Sequence, residues 1–299
     1  MIRKYVSIGL LTSLLFTPWF SSSEEVLSVP KGPYLGQKAP SLVPKVFAPD
    51  VISVEGRYEG TISFSPELNE VYFGANNPGG ETHIYFSKLT DKGWTTIKRA
   101  NFTKGEKDEE IHPFVSRDGK RIYFTGLNSD LSDTRIWYVN RFDQGWGNPV
   151  KLGSPINNEQ VFYANQANSD ELYYFNLNKG KTFYASASGG SFNQTQELAL
   201  APGFHHAVIA PSQDYMIVNG RNKEEGRKDN DLFVCFKQAD GSWSNPINLG
   251  KAINTSVNEK GPSITHDGKY LFFGRDESDG KANIYWVSTE VIDRLKANS

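Results

Sequence analysis

The phrase Val71-Tyr72-Phe73 returns four times along this chain, as Ile122-Tyr123-Phe124, Tyr173-Tyr174-Phe175, Met216-Ile217-Val218 and Leu271-Phe272-Phe273. The last residues of successive phrases stand 51, 51, 43 and 55 residues apart. A period in this range, carried by short β-rich phrases and Gly/Asp turns, marks a ring of small sheets rather than one large sheet. The spacing therefore predicts an all-β chain folded as a β-propeller.

Each repeat has the same order of parts. A strand runs into a tight turn, such as Ser65-Pro66-Glu67-Leu68-Asn69, Ser116-Arg117-Asp118-Gly119-Lys120 or Thr265-His266-Asp267-Gly268-Lys269. Asp-Gly supplies the positive φ that a hairpin turn requires. The aromatic phrase is the second strand, and a third follows, as in Ile84-Tyr85-Phe86-Ser87 or Ile284-Tyr285-Trp286-Val287. Gly93-Trp94, Gly145-Trp146, Ser191-Phe192 and Ser242-Trp243 begin the next turn, each offering an aromatic to the neighbouring blade. A short outer strand completes the unit, which implies five four-stranded antiparallel blades and about 20 strands.

The fifth unit has no outer strand of its own, because a short helical tail over 289–296 follows Val287. Its substitute lies at the other end of the chain. Pro44 to Val51 reads like Pro149 to Ile156 and Pro246 to Ile253, each running from Pro to a β-branched residue. Residues 44–52 are therefore expected to pair with the strand at 284–288, closing the ring and removing a free sheet edge. A sixth blade would have to fit four strands into residues 24–58, which are too few.

Residues 1–23 carry a basic start, an apolar run from Tyr5 to Phe20 and then Ser21-Ser22-Ser23 ahead of Glu24-Glu25. That order reads as an export signal peptide cleaved after Ser23, followed by an N-terminal extension over 24–43 and a propeller over 44–299. The apolar run is short and interrupted for a membrane span, so no transmembrane segment is expected after cleavage. Cleavage takes the formal charge from -2 to -4. A mildly acidic chain lacks the clustered Lys and Arg that phosphate backbones demand, which excludes nucleic acid as the partner class. The single Cys235 sits in a strand phrase and reads as a small buried hydrophobe. A periplasmic or secreted monomer is the expectation.

The turn phrases resemble the WD40-like repeats of TolB-type periplasmic propellers, whose pattern places Ser-Pro-Asp-Gly-Lys before an aromatic strand. Ser116 to Phe124 is the nearest copy and Thr265 to Phe273 the next, and the resemblance spans about residues 44–288. Asn168-Ser169-Asp170-Glu171 and Pro211-Ser212-Gln213-Asp214 lack the Gly. The resemblance implies blades, not an activity.

The loops entering the innermost strands and those between second and third strands emerge on one face. Fourteen residues before Phe73, Phe124 and Phe273 stand Glu59, Glu110 and Glu259. The same step in the other blades gives Val161, with Glu159 nearby, and Phe204, followed by His205 and His206. With His112, Arg221 and Arg275, these are the candidate ligand-binding residues of an axial mouth. Converging carboxylates and imidazoles suit a divalent cation or acid/base glycan cleavage. Alternatively, an acid repeated in several blades is a structural tie, since a group needed once should not recur. The His pair breaks the repeat, and Arg221 with Arg275 suits a carboxylate or sulfate clamp, or else salt bridges within the protein. Strand alternation would send His205 and His206 to opposite faces.

No Gly-x-Ser-x-Gly elbow, phosphate-binding Gly loop or His-Glu-x-x-His helix occurs. No cofactor is predicted. The sequence favours a ligand-binding or protein-scaffolding module of the bacterial envelope, with an envelope protein or glycan as partner. The alternative is a glycan-active hydrolase or lyase working at the axial mouth.

Overall fold

The computed structural model describes residues 30–297 apart from 77–79, 144, 168–170, 189–190, 222–228 and 278–279. The signal-peptide reading and the Gly-less turn of the third repeat lie outside the described residues.

Among the described residues, 22 strands form five antiparallel sheets in chain order. Blade 1 holds Glu59–Phe64, Glu70–Asn76 and Thr82–Thr90, and blade 2 Glu109–Val115, Arg121–Leu127 and Arg135–Phe142. In both, the outer strand is broken into two pieces, Gly93–Trp94 with Lys98–Arg99, and Gly145–Trp146 with Val150–Lys151. Blade 3 runs Val161–Gln166, Glu171–Asn176, Lys181–Ser188 and Ser191–Glu197. Blade 4 runs Phe204–Ile209, Tyr215–Arg221, Asn230–Phe236 and Ile247–Asn248. Blade 5 holds Glu259–Ile264, Tyr270–Asp276 and Ala282–Ser288, with Lys45–Val46 as its outermost strand. The fold is a five-bladed β-propeller.

The chain ends close the ring as the Pro-to-Val phrase predicts. Lys45 pairs with Trp286 and Val46 with Tyr285, and the Phe47 amide donates to the Ile284 carbonyl at 2.7 Å. The Ser53 hydroxyl then bonds both the amide and the carbonyl of Ile284. Around this seam Phe47, Phe64, Phe272 and Trp286 pack ring to ring, with Tyr34 wedged among them. Aromatic pairs of this kind add about 0.5–1.5 kcal/mol each beyond simple burial. Residues 30–34 are held to blade 1, since the Trp94 amide donates to the Pro30 carbonyl and its indole N–H to that of Gly32.

Polar ties join the other blades near their inner strands. The Val115 amide donates to Ser63 Oγ and the Tyr163 amide to Thr125 Oγ1. The Asn165 amide group donates to the Ala207 carbonyl, and that of Asn219 to the Glu259 carbonyl. Each blade-to-blade joint from 1 to 5 thus has a bond close to the axis. Outer aromatics also cross blades: Trp146 of blade 2 packs edge-on to Phe86 of blade 1 at 4.6 Å.

The turns between first and second strands keep one geometry despite different sequences. Gly119 and Gly268 have φ of 69° and 73°, and Leu68 and Gln213 take the same left-handed conformation at 56° and 59°. Tertiary pairing of the flanking strands imposes the conformation where glycine is absent. Cys235 is buried at 1% exposure, and burial pushes its thiol up to about 12. The terminal helix Glu290–Ala297 seats Ile292 in the core shared by blades 4 and 5. No helix among the described residues is long and apolar enough to cross a membrane.

Candidate functional site

Every innermost strand carries a β-bulge near the end where it enters the sheet. Twelve residues before the end of each aromatic phrase stand Thr61, His112, Tyr163, His206 and Gly261. His112, Tyr163, His206 and Gly261 have φ between 53° and 65°. A left-handed residue inside a strand costs energy for any side chain but glycine, and such strain concentrates at functional sites. The bulge also breaks alternation, so the ring residue turns inward whatever its neighbours do.

The outcome is an aromatic plug. The His112 ring lies 4.9 Å from Tyr163 and 5.3 Å from Phe162. His206 lies 5.4 Å from Tyr163, 5.1 Å from Phe162 and 4.6 Å from Phe175. The Tyr163 hydroxyl crosses from blade 3 to blade 5 and donates to the Pro262 carbonyl at 2.6 Å. Beneath the plug lies a cavity of about 20 Å³ lined by Thr61, His112, Phe114, Tyr163 and Pro262. That is room for roughly one water molecule.

Burial governs the ionisation of this ring. It pushes His112 down to about 3, and the His112 Nδ1 is closed off without a hydrogen-bond partner. Burial likewise holds His206 well below its ordinary value, with His205 and His112 adding repulsion. His205 is lowered too, mainly by burial, opposed by a main-chain bond at Gly203. The His205 and His206 rings stand 4.3 Å apart. They do not part to opposite faces as alternation would have them do, because the bulge intervenes.

The repeated acids point elsewhere. Glu110 is fully buried and accepts from the Phe102 amide at 3.1 Å and from both the amide and hydroxyl of Thr103. Glu259 is fully buried and accepts from the Thr255 amide, the Thr255 hydroxyl and Arg275 Nε. Glu59, also fully buried, accepts from Arg57 Nε and the Val54 amide. Burial raises both Glu59 and Glu259, opposed by these hydrogen bonds and the nearby Arg. Apart from Arg275, which lies on the second strand of blade 5, the donors sit in the segments leading into each blade, so each acid pins the crossover from the preceding blade to its own strand. Blades 1 and 5 repeat the motif closely: Arg57 and Arg275 each pair with their Glu and donate to a carbonyl, Ile52 or Ile253.

The remaining candidates separate. Arg275 also stacks on Tyr285 at 4.3 Å, so it serves the Glu259 tie rather than a clamp with Arg221. Arg221 ends the second strand of blade 4 and is exposed. Glu159 lies at the rim, 39% exposed along its side chain, bonded to Asn176 and Lys179. Those two partners hold its carboxyl below the usual range. Of the nine predicted residues, His112, His205 and His206 come together at the axis. Half-buried Phe162 flanks them, whereas half-buried Phe204 packs on Phe233 of its own blade at 4.9 Å. Tyr163 also belongs to this ring and is 6% exposed. The constant twelve-residue offset is the signal that marks it. Among the described residues, no three His, Cys, Asp or Glu side chains are grouped to hold a metal ion.

The solved structures similar to this chain include a TolB and two enzymes named for arabinose-containing glycans. TolB from Acinetobacter baumannii aligns at 12% identity and TM-score 0.50, over 77% of this chain and 54% of that one. This chain thus spans about half the length of that TolB. It shares TolB's propeller fold. The catalytic domain of the Coprinopsis cinerea GH62 α-L-arabinofuranosidase aligns at 9% identity and TM-score 0.55, over 83% of this chain and 97% of that one. An endo-arabinase from Bacteroides thetaiotaomicron aligns at 13% identity and TM-score 0.53, over 80% and 96%. No protein-family model and no curated protein matches the sequence. At such identities the shared property is the fold alone, and the activity must be argued from this chain's own residues.

Proposed function

We propose that this chain is an exported, non-catalytic propeller that binds or scaffolds an envelope protein or a glycan on the face around His205, His206, Phe162 and Phe204. One observation carries the reading: Glu59, Glu110 and Glu259 are fully buried and bonded within their own blade entries. Most glycoside hydrolases use two carboxyl groups flanking an accessible bond. Here the axis is lined by imidazole and aromatic rings, with space for about one water beneath them. Half-buried aromatics beside imidazoles suit a partner that stacks or packs rather than one that is cut.

The test pairs turnover with binding. Purified protein is incubated with neutral and acidic polysaccharides while new reducing ends are measured, and a photo-crosslinking residue replaces Phe204 in cells to capture envelope partners. The expected result is no turnover, with a partner or retained glycan that His205→Ala releases. Turnover abolished by Glu110→Gln or His206→Ala would establish the hydrolase or lyase alternative. Export is checked separately by cell fractionation, with a mature chain beginning at Glu24.

A further inference from the structure

The propeller axis has a second end, formed by the turns between first and second strands. Seven residues before the phrase ends Phe73, Phe124, Val218 and Phe273 stand Pro66, Arg117, Pro211 and His266. Two blades thus keep the proline of the turn, while blades 2 and 5 replace it with groups that bear or accept protons. A side chain that breaks a structural repeat at one position serves something other than the repeat.

Arg117 is placed in an unusual way. Its Nε donates to the Gln166 carbonyl of blade 3 at 2.9 Å, and its Nη2 reaches the Ile209 carbonyl of blade 4 at 3.4 Å. The guanidinium therefore spans the lower end of the channel, from blade 2 to blade 4. Nη1 is closed from solvent and has no acceptor. Among the described residues no carboxylate forms an ion pair with Arg117. The acids of the same turns are occupied: Asp118 accepts from Ser116 and the Lys120 amide, and Asp267 from Thr265 and the Lys269 amide. Phe114 lies under the guanidinium at 5.6 Å and faces the His266 ring at 6.4 Å. Two small apolar-walled hollows adjoin these rings, both lined by Phe114.

Carbonyl oxygens satisfy hydrogen bonds but supply no countercharge. A partly buried guanidinium with a spare N–H and no carboxylate is incomplete, because buried charges are ordinarily paired. Arg is also the side chain whose planar fork matches carboxylate and phosphate oxygens. Burial holds the Arg117 pKa down to about 10, with no carboxylate opposing it.

We propose that the lower axial mouth is an oxyanion site, in which Arg117 anchors one carboxylate- or phosphate-type group and Phe114 and His266 form its wall. His266 is held by main-chain groups of Phe64 and Val115, so it shapes the site rather than carrying the charge. This site lies on the face opposite His205 and His206 and does not depend on what binds there.

The test measures thermal unfolding of the full chain at constant ionic strength while chloride is exchanged for phosphate or sulfate. A short peptide with a free C-terminal carboxylate, and its amidated twin, are titrated alongside. The wild type should show a saturable rise in midpoint, and Arg117→Gln should weaken the response at least tenfold. Response to the free-carboxylate peptide alone would assign the site to a chain terminus. Response to phosphate and sulfate alone would assign it to a free inorganic oxyanion. In isotopically labelled wild type, the Arg117 Nε–H resonance should shift on titration, which needs no variant and holds if Arg117→Gln fails to fold. No saturable response in the wild type, or an equal one in Arg117→Gln with an unmoved resonance, would overturn the proposal.

Discussion

Acid should destabilise this propeller through its axial imidazoles, and His112 is the place to measure it. Burial pushes His112 down to about 3 in the folded chain, against an unfolded value of 6.5. The unfolded chain therefore takes up the proton first as pH falls. Stability attributable to His112 is intact above the unfolded value, declines through the interval, and is fully lost below the folded one. At roughly pH 5 the linkage amounts to about 2 kcal/mol, an upper figure because part of the residue still meets water. His206 shifts in the same direction and faces His112 across the plug, together with Tyr163 and Phe162. The perturbation is His112→Asn, because Asn tolerates the positive φ of the bulge and does not titrate. Urea unfolding of wild type and variant near neutrality and near pH 5 yields a difference of differences, in which carboxylates common to both cancel. The variant should be less stable near neutrality, yet lose about 1–2 kcal/mol less than wild type on acidification. Equal losses in the two proteins would refute the argument that a buried, neutral His112 governs acid sensitivity.

Other consequences can be checked by routine means. Glu110→Gln sets an amide group against donors from Phe102 and Thr103, and should cost about 2–4 kcal/mol in chemical unfolding. Trp286→Ala empties the seam beside Phe47 and Phe272 and should cost about 3–5 kcal/mol in the same assay. Gln213→Gly relieves a left-handed non-glycine turn and should stabilise by about 0.5–1 kcal/mol, whereas Gly119→Ala should destabilise by about 1 kcal/mol in thermal melts. Cys235, buried with its thiol pushed up to about 12, should resist thiol reagents in the folded protein and react after denaturation.

Blade number, strand order and ring closure were legible because they rest on local chemistry repeated five times. The phrase ending at Phe73 recurs at Phe124, Phe175, Val218 and Phe273, and each copy is the second strand of a blade. The turn phrases mark hairpins whether or not glycine is present, as Leu68 and Gln213 show. Closure was legible because Pro44 to Val51 copies the missing outer strand. The acid at the head of three inner strands was visible as well, together with the rule that a repeated group serves the repeat.

Where those side chains point was decided only by the tertiary structure. A bulge is a mismatch between two strands, so its position follows from pairing rather than from either strand alone. It turns His112, Tyr163 and His206 to the axis and brings the rings of His205 and His206 together. Whether Glu259 meets solvent or Arg275 depends on register across a hairpin, which places the two residues opposite each other. The reach of Arg117 to the Ile209 carbonyl spans 92 residues of sequence. Periodicity carries information over one blade, whereas the Tyr163 bond to the Pro262 carbonyl at one end of the axis and the Arg117 bond to the Ile209 carbonyl at the other join blades that are not neighbours in the ring.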